Sequence, residues 1–476
     1  DEKQDDSIDF NWSVLTNQPH NKQSYEYFNP PTHKKNNIHI TNIPLTNKKM
    51  KCPRDGKDIK NGSIIEMRYD SSNKDGFIWI PLRVRDDKVK PQFFTIANNI
   101  WQTINEPVTK EMITGTINFD ELELVNSDKY YVDSKLCEDT PIRDLHNYIK
   151  SKLISRVCSS TDFKEDLMIA DLSCGRGGDI KKYISSKNNI EFILGLDISG
   201  NINEASQRYH YLPKPKPKSL FLQFDTSQSI EKKEGCLGSS ERKEICSDML
   251  DMISGKSKSF HKKYKDVQKS YAGLATKGFD VVSSQFSLHY YFKDEESLRG
   301  FCENIKYLCA DDGYFIGTCY DGMKVMKTFA KEDTDILEMK DDFGSLIYQI
   351  KKKYKITDFS YDKDNIDDMF GQEIEVFMAS IGQSITEYLV NFEFFIDLMK
   401  EYGFELALPT YKKGEYNPIK DPIQSFDTII EGTSELREND KEFIQKTKNT
   451  ELYKVHSNKE YKLLSGLNNW FMFQKQ

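Results

Sequence analysis

Two periodicities divide the chain. Residues 38–43 alternate apolar and polar side chains, and 64–69 and 77–84 are further short runs, each bounded by Gly, Asp, Asn or Ser. They predict strands. Residues 93–103 predict a helix and 115–119 one more strand, so a small β-barrel is expected up to about residue 125. Ahead of it, residues 1–37 are polar, contain Pro30-Pro31 and predict irregular chain. Residues 126–140 predict a polar linker. From Pro141 onward, apolar runs at 167–172, 191–196, 220–224, 280–284 and 313–318 alternate with helical stretches at 180–185, 202–209, 295–309 and 323–328. That order predicts an α/β domain with a parallel sheet over 141–476. A helix at 392–402 closed by Gly403 and a last strand at 470–473 complete it.

Three segments interrupt this pattern. Residues 213–218 read Pro-Lys-Pro-Lys-Pro-Lys, a basic polyproline-like arm. Residues 227–271 form a charged, Ser-rich insertion expected to be helical and loop-like outside the sheet. Residues 351–355 are a basic cluster. Lys34, Lys35, Lys48, Lys49, Lys51 and Lys57 add further positive charge. Phosphate contact and a solvated face are both open for these lysines.

Composition narrows the classes. At 476 residues the chain is long enough for two or three domains. Its 37% hydrophobic and 30% charged residues are a globular balance. A net charge of −8 excludes a general polyanion binder, so any nucleic-acid contact rests on local patches. Nine Cys without CxxC pairs argue against a disulfide framework and a structural zinc site, and a reducing compartment is expected. No apolar run reaches the roughly 18 residues of a spanning helix, and no membrane partner is expected. The chain opens at Asp1, which reads as a fragment or a processed form.

The candidate chemistry centres on residues 169–179, Ile-Ala-Asp-Leu-Ser-Cys-Gly-Arg-Gly-Gly-Asp. An apolar strand ends in Asp171 and enters a loop with Gly175, Gly177 and Gly178. Glycines let backbone approach a ligand, and the following helix offers free N–H groups. Alone, such a loop is also a common tight turn. Two further apolar strands end in Asp197 and Asp225. Acids at consecutive strand ends share the carboxyl edge of the sheet, where ligands bind in such folds. Asp197 could accept ribose hydroxyls or cap the next helix. Asp225 suits an adenine amino group. Asp171 and Asp179 would repel a pyrophosphate but suit the sulfonium and ammonium of S-adenosylmethionine. The His289-Tyr290 pair at the end of a fourth strand is, by itself, equally a packing feature. Glu387 stands in a largely apolar segment. If buried it needs a partner, and the N1–H and N2 amino edge of guanine provides two donors.

Together these segments resemble the mRNA cap guanine-N7 methyltransferases, in particular the multifunctional capping enzymes of large DNA viruses. The marks are HNYIKS (146–151), DLSCGRGGDI (171–180), GLDIS (195–199), QFSLHYYF (285–292), GYFIGT (313–318) and TEYLV (386–390). The resemblance implies a class I, Rossmann-like S-adenosylmethionine-dependent methyltransferase sheet and no metal. It implies that Lys150, Asp171 and Asp179 hold the methionine end of the cofactor. Asp197 would hold the ribose and Asp225 the adenine, with Ser173, Gly175 and Gln285 completing the pocket. Asn147, His289, Tyr290 and Glu387 would surround the cap guanine, and the last three carry the catalytic assignment. Ser173 stands where the family usually has Gly, and Tyr320 where many cellular members have Pro.

Residues 1–125 resemble the OB-fold end of a guanylyltransferase. Arg83, Arg85, Asp87 and Lys88 match its last nucleotide motif, although the arginines also read as a solvated strand face. The nucleophile motif Lys-x-Asp-Gly is absent, so no guanylyltransferase activity is expected from this chain. The implied partners are the capped mRNA 5′ end, the rest of a capping enzyme upstream and a candidate stimulatory subunit, in a cytoplasmic viral factory or virion. Competing readings are a class I methyltransferase for another acceptor, a methyltransferase-like scaffold or regulatory subunit, and a dehydrogenase. A scaffold would have no need of the four acids Asp171, Asp179, Asp197 and Asp225. A dinucleotide enzyme would not place Asp179 at the pyrophosphate.

Overall fold

Five mostly buried strands build the centre of the larger of two compact units, which cover Asp1–Ser13 with Gln18–Val125 and Val14–Asn17 with Asn126–Gln476. The computed structural model describes residues 32–33, 38–39, 45–46, 49–52, 56–69, 79–88, 141–210, 212, 215–238, 240–256, 269–340, 346–379, 381–411, 417–431 and 459–476. The strands are β1 (Leu167–Leu172), β2 (Ile190–Asp197), β3 (Lys218–Gln223), β4 (Phe279–Gln285) and β5 (Cys309–Tyr320). They pair in parallel in the order β3-β2-β1-β4-β5. Both faces of a parallel sheet are covered by helices, which is why these strands lack polar alternation.

Helices α1 (Pro141–Cys158), α2 (Ile180–Ile184), α3 (Ile202–His210), α4 (Ser240–Ile253), α5 (Leu288–Tyr291), α6 (Glu295–Leu308), α7 (Gly322–Glu332) and α8 (Phe392–Glu401) connect and flank them. Several starts are set by side chains. Asp294 accepts from the Ser297 amide, Asp321 from those of Met323 and Lys324, and Asn391 from that of Phe394. Gly403, at φ +86°, follows α8 as expected.

The segment between α7 and α8 departs from the sequence reading. It is a separate antiparallel meander of β6 (Ile336–Lys340), β7 (Leu346–Lys352), β8 (Glu373–Met378) and β9 (Ser384–Tyr388). Leu337, Met339, Ile350, Ile374, Val376 and Glu387 are buried in it. Its other side carries Lys351, ion-paired with Glu375, which Lys353 also reaches. Lys352 lies on the side of Ile350 and Ile374 and pairs with Asp335, so the lysines at 351–353 are each ion-paired.

Beyond β5 lie the short β10 (Phe404–Leu406) and β11 (Ile423–Ser425) and the last strand β12 (Asn468–Lys475), longer than expected and antiparallel to β5. A Cβ at Gly317 of β5 would sit 2.3 Å from both the Phe471 ring and the Ser284 carbonyl oxygen. Only glycine lets β4, β5 and β12 approach so closely. In the basic arm, Lys216 donates to the carbonyls of Tyr209 and His210 and lies over the Tyr209 ring, so it closes α3.

In the smaller unit, Ile65–Tyr69 pairs antiparallel with Trp79–Val84, Leu45–Thr46 with Lys49–Met50 and Thr32–His33 with Ile38–His39. The elements expected at 93–103 and 115–119 lie outside the described residues, as does much of the expected barrel. Glu66 binds both Arg83 and Arg85, and Arg85 also forms a two-pronged bond with Asp87. The guanidinium groups are thus charge-compensated within the ribbon.

Candidate active site

The strand order reverses between β1 and β4, and the crevice outside their carboxyl ends is where such sheets bind ligands. The loop after β1 is tightly built. Ser173 holds φ +82°, a strained value for a residue with a side chain. The amides of Ser173 and Cys174 donate to the Leu196 carbonyl at 2.7 and 2.9 Å. The Tyr291 hydroxyl bridges Ser173 Oγ and Thr226 Oγ1, joining this loop to the chain after β3. At Gly177 (φ +72°) a Cβ would lie 2.6 Å from Ile180 and 3.0 Å from Ala205. Asp197 takes the Gly175 amide at 2.7 Å on one oxygen and the Ser199 amide and hydroxyl on the other. It therefore organises the loop, and α3 starts five residues later rather than on this side chain.

Three charged groups meet at the start of α2. Asp179 contacts Lys150 at 2.9 Å and Lys182 at 2.6 Å, and Lys182 also donates to Asn147 Oδ1 at 3.1 Å. Burial alone would raise the Asp179 carboxyl, but the two ammonium groups hold it at about 2. Asp171 is pushed up to about 8, by burial first and by the Asp179 charge second, against a 3.1 Å bond from the Tyr183 hydroxyl. Near neutral pH one carboxylate is thus charged and its neighbour largely protonated.

Asp225 lies two residues past β3, where it accepts from the Ser227 amide and hydroxyl. Gln285, the last residue of β4, is fixed by Ser283 and Thr318. Phe286 follows at φ +54°, stacked on His146. Ile198, beside Asp197, is 59% exposed and offers apolar surface at the sheet edge.

A second cluster has a different character. His289 on α5 and Glu387 on β9 are 1% and 4% exposed, and His289 Nε2 lies 3.5 Å from Glu387 Oε1. Yet His289 Nε2 and Glu387 Oε2 have no hydrogen-bond partner. Burial pushes the glutamic acid up to about 8 and the imidazole down to about 3. Both are therefore mostly neutral at pH 7. The rings of Tyr290 and Tyr320 lie 4.2 and 6.3 Å from that of His289. Buried, unsatisfied polar atoms are costly unless a ligand completes them.

The structure thus brings Lys150, Asp171, Ser173, Gly175, Asp179, Asp197, Asp225 and Gln285 to one sheet edge, and His289 and Tyr290 directly after it beside Glu387. Asn147 joins the acid–lysine cluster through Lys182. Sequence reasoning missed Lys182, Tyr183, Tyr291 and Ile198. Lys182 at i+3 from Asp179 was a detectable pairing signal. Tyr291 had none, because its contacts come from three separate elements.

The description "mRNA (guanine-N(7))-methyltransferase domain" matches residues 128–431, and "mRNA capping enzyme, C-terminal domain" matches 5–114. A probable mRNA-capping enzyme of Acanthamoeba polyphaga mimivirus is 29% identical over 392 residues, 74% of this chain and 30% of the relative. The mRNA cap guanine-N(7) methyltransferase of Candida glabrata is 27% identical over 312 residues, 63% of this chain and 62% of the relative. That of Saccharomyces cerevisiae is 25% identical over 277 residues, 56% and 51%. The chain spans less than two thirds of the length of each. The methyltransferase match takes in both clusters and more than half of the sequence, and the chain belongs to the mRNA (guanine-N(7))-methyltransferase family.

Proposed function

We propose that the chain methylates N7 of the guanine cap of mRNA, using S-adenosylmethionine. The observation that carries this reading is the unsatisfied His289–Glu387 pair beside an acid-lined crevice. The crevice fits a ligand that carries an ammonium and a carboxylate and no phosphate. Lys150 and Lys182 suit a carboxylate, while Asp171 and Asp179 suit an ammonium. Asp197 keeps acceptor capacity on Oδ2 for a ribose hydroxyl beyond its loop bonds. Ile198 supplies a flat apolar contact for adenine, and Asp225 an acceptor for its amino group.

When bound, S-adenosylmethionine supplies an electrophilic methyl group on a sulfonium. Guanine N7 has an in-plane lone pair and no proton to lose, so the residues need only position it. Glu387 accepts the N1–H and N2 donors, which draws the carboxyl toward its ionised form. As positive charge develops on the purine, that carboxylate stabilises it in a water-poor site. His289 and Tyr290 hold the base against Glu387.

The first unit supports a capping-enzyme setting, and we assign it as the OB-fold end of a guanylyltransferase module whose nucleophile lies elsewhere. Its match to a capping-enzyme domain and the length of the mimivirus relative support an upstream remainder as partner. The test is transfer of labelled methyl to GpppA-capped RNA, followed by nuclease digestion. Label on guanine N7 is expected. Cofactor binding without transfer to any capped RNA would overturn the proposal.

A further inference from the structure

Successive side chains on a helix point about 100° apart, so the short turn α5 faces two sites at once. His289 and Tyr290 lie at the Glu387 cluster. Tyr291 faces the cofactor side: its hydroxyl meets Ser173 Oγ at 3.1 Å and is hydrogen-bonded to Thr226 Oγ1 as well. Ser173 belongs to the loop after β1, and Thr226 follows Asp225. A phenol hydroxyl has one proton and two lone pairs, so it donates to one of these oxygens and accepts from the other. Burial first of all pushes this hydroxyl up to about 12, so it keeps its proton at neutral pH. The ring is fixed from behind, stacked on Phe301 of α6 at 3.7 Å between centroids and 9° between planes. On the same helix, Asn304 donates to the carbonyls of Thr226 and Gln228 at 2.9 and 2.7 Å and accepts from the Ile230 amide at 2.8 Å. Helix α6 thus anchors both the Tyr291 ring and the chain after Asp225. Ser173, at φ +82°, holds a conformation that persists only where its surroundings enforce it, and the Tyr291 bond is one of those restraints.

We propose that Tyr291 is a positioning residue for methyl transfer: its hydroxyl sets the spacing between the loops assigned to the cofactor and the helix turn that carries His289 and Tyr290. The inference rests on the cap methyltransferase reading. In-line transfer needs guanine N7 and the sulfonium methyl held close and collinear, and a misplacement of about 1 Å costs about 10²-fold in rate. Affinity for each ligand alone is set by its own cluster. The spacing between the clusters matters only when both ligands are bound and reacting. The signature of this role is therefore a loss of kcat with both affinities kept.

Tyr291→Phe in the full chain keeps the ring on Phe301 and removes the bridge. Its kcat on GpppA-capped RNA, counted per cofactor site titrated by calorimetry so that unfolded chain does not enter, should fall by about 10–10²-fold. The dissociation constants of S-adenosylmethionine and of GpppA, each measured alone, should stay within about twofold of wild type. Thr226→Val removes one arm of the bridge at nearly constant shape and should lower kcat by less. Combined with Tyr291→Phe it should add no further loss, because both substitutions break the same bridge. Full kcat in Tyr291→Phe, a loss confined to affinity, or additive losses in the double variant would overturn the role. If Tyr291→Phe binds no cofactor, Thr226→Val decides: lowered kcat at unchanged affinities is expected, and full kcat overturns the proposal. A wild type that binds cofactor yet methylates no capped RNA would overturn the functional reading and this role together. An active wild type with full kcat in the variant would overturn the role alone.

Discussion

The acid–lysine cluster at the start of α2 and the His289–Glu387 pair are both buried and both ionisable, yet they solve burial in opposite ways. In the first, Asp179 stays charged because Lys150 and Lys182 touch it. In the second, each group gives up its charge and keeps an unpartnered atom. In the first site the charged carboxylate is partnered before any ligand arrives, and its two ammonium groups leave a positive excess for a ligand carboxylate. In the second, both unpartnered atoms wait for a ligand. Cofactor and acceptor are thus bound by different physics, and variants should separate them.

The sharpest break is Glu387→Ala. It should lower kcat/KM for capped RNA by about 10²–10³, the usual loss for one transition-state partner, with S-adenosylmethionine affinity unchanged by calorimetry. Tyr290→Ala should show the same split with a smaller loss. Equal loss of cofactor affinity in both would erase the distinction between the two clusters. Conversely, Asp197→Ala should weaken cofactor binding by about 10²-fold, since it removes hydrogen bonds to a charged acceptor and loosens the Gly175 loop. Unchanged affinity would remove Asp197 from the pocket.

The pH dependence sharpens the comparison further. Glu387 binds its proton more tightly folded than unfolded, so its stabilising effect is full below about pH 4.5 and is lost as pH rises through about 8. Buried His289 has the opposite sign: the folded chain resists protonation, so stability is lost as pH falls from about 6.5 through 3. Glu387→Gln removes only the first effect. Relative to wild type, this variant should gain up to about 1 kcal/mol per pH unit between pH 5 and 7.5 in urea unfolding. A pH-independent difference would mean that Glu387 is already ionised. In the wild type, binding of GpppA at pH 7 should release about one proton, read by calorimetry in two buffers of different ionisation heat.

What the sequence made legible follows the same division. β1 and β2 are readable because aliphatic runs lead to Asp171 and Asp197, and a buried parallel strand has no polar phase to confuse it. The meander carrying Glu387 does not read as strands from the sequence alone. Its outer face bears Glu338, Lys340, Lys351 and Glu375, which look like a charge run until cross-strand pairing is known. Glu387 itself still drew notice, because a lone acid among apolar neighbours is costly wherever it lies. Tyr183 and Tyr291 could not be found, since their bonds to Asp171, Ser173 and Thr226 join residues far apart in sequence.

Tyr183→Phe is the mildest test. The substitution keeps the buried ring and deletes the 3.1 Å bond that Tyr183 donates to Asp171. It should cost about 1 kcal/mol of stability, the net worth of one hydrogen bond. Because that bond favours the carboxylate, its loss should raise the Asp171 proton affinity further and leave an ammonium facing a more fully neutral acid. Cofactor affinity should then fall by a few-fold and recover partly as pH rises from 7 to 9, while GpppA affinity stays constant. A matching loss of GpppA affinity would show that the two clusters are coupled through β1 and β4 and do not work as separate halves of the site.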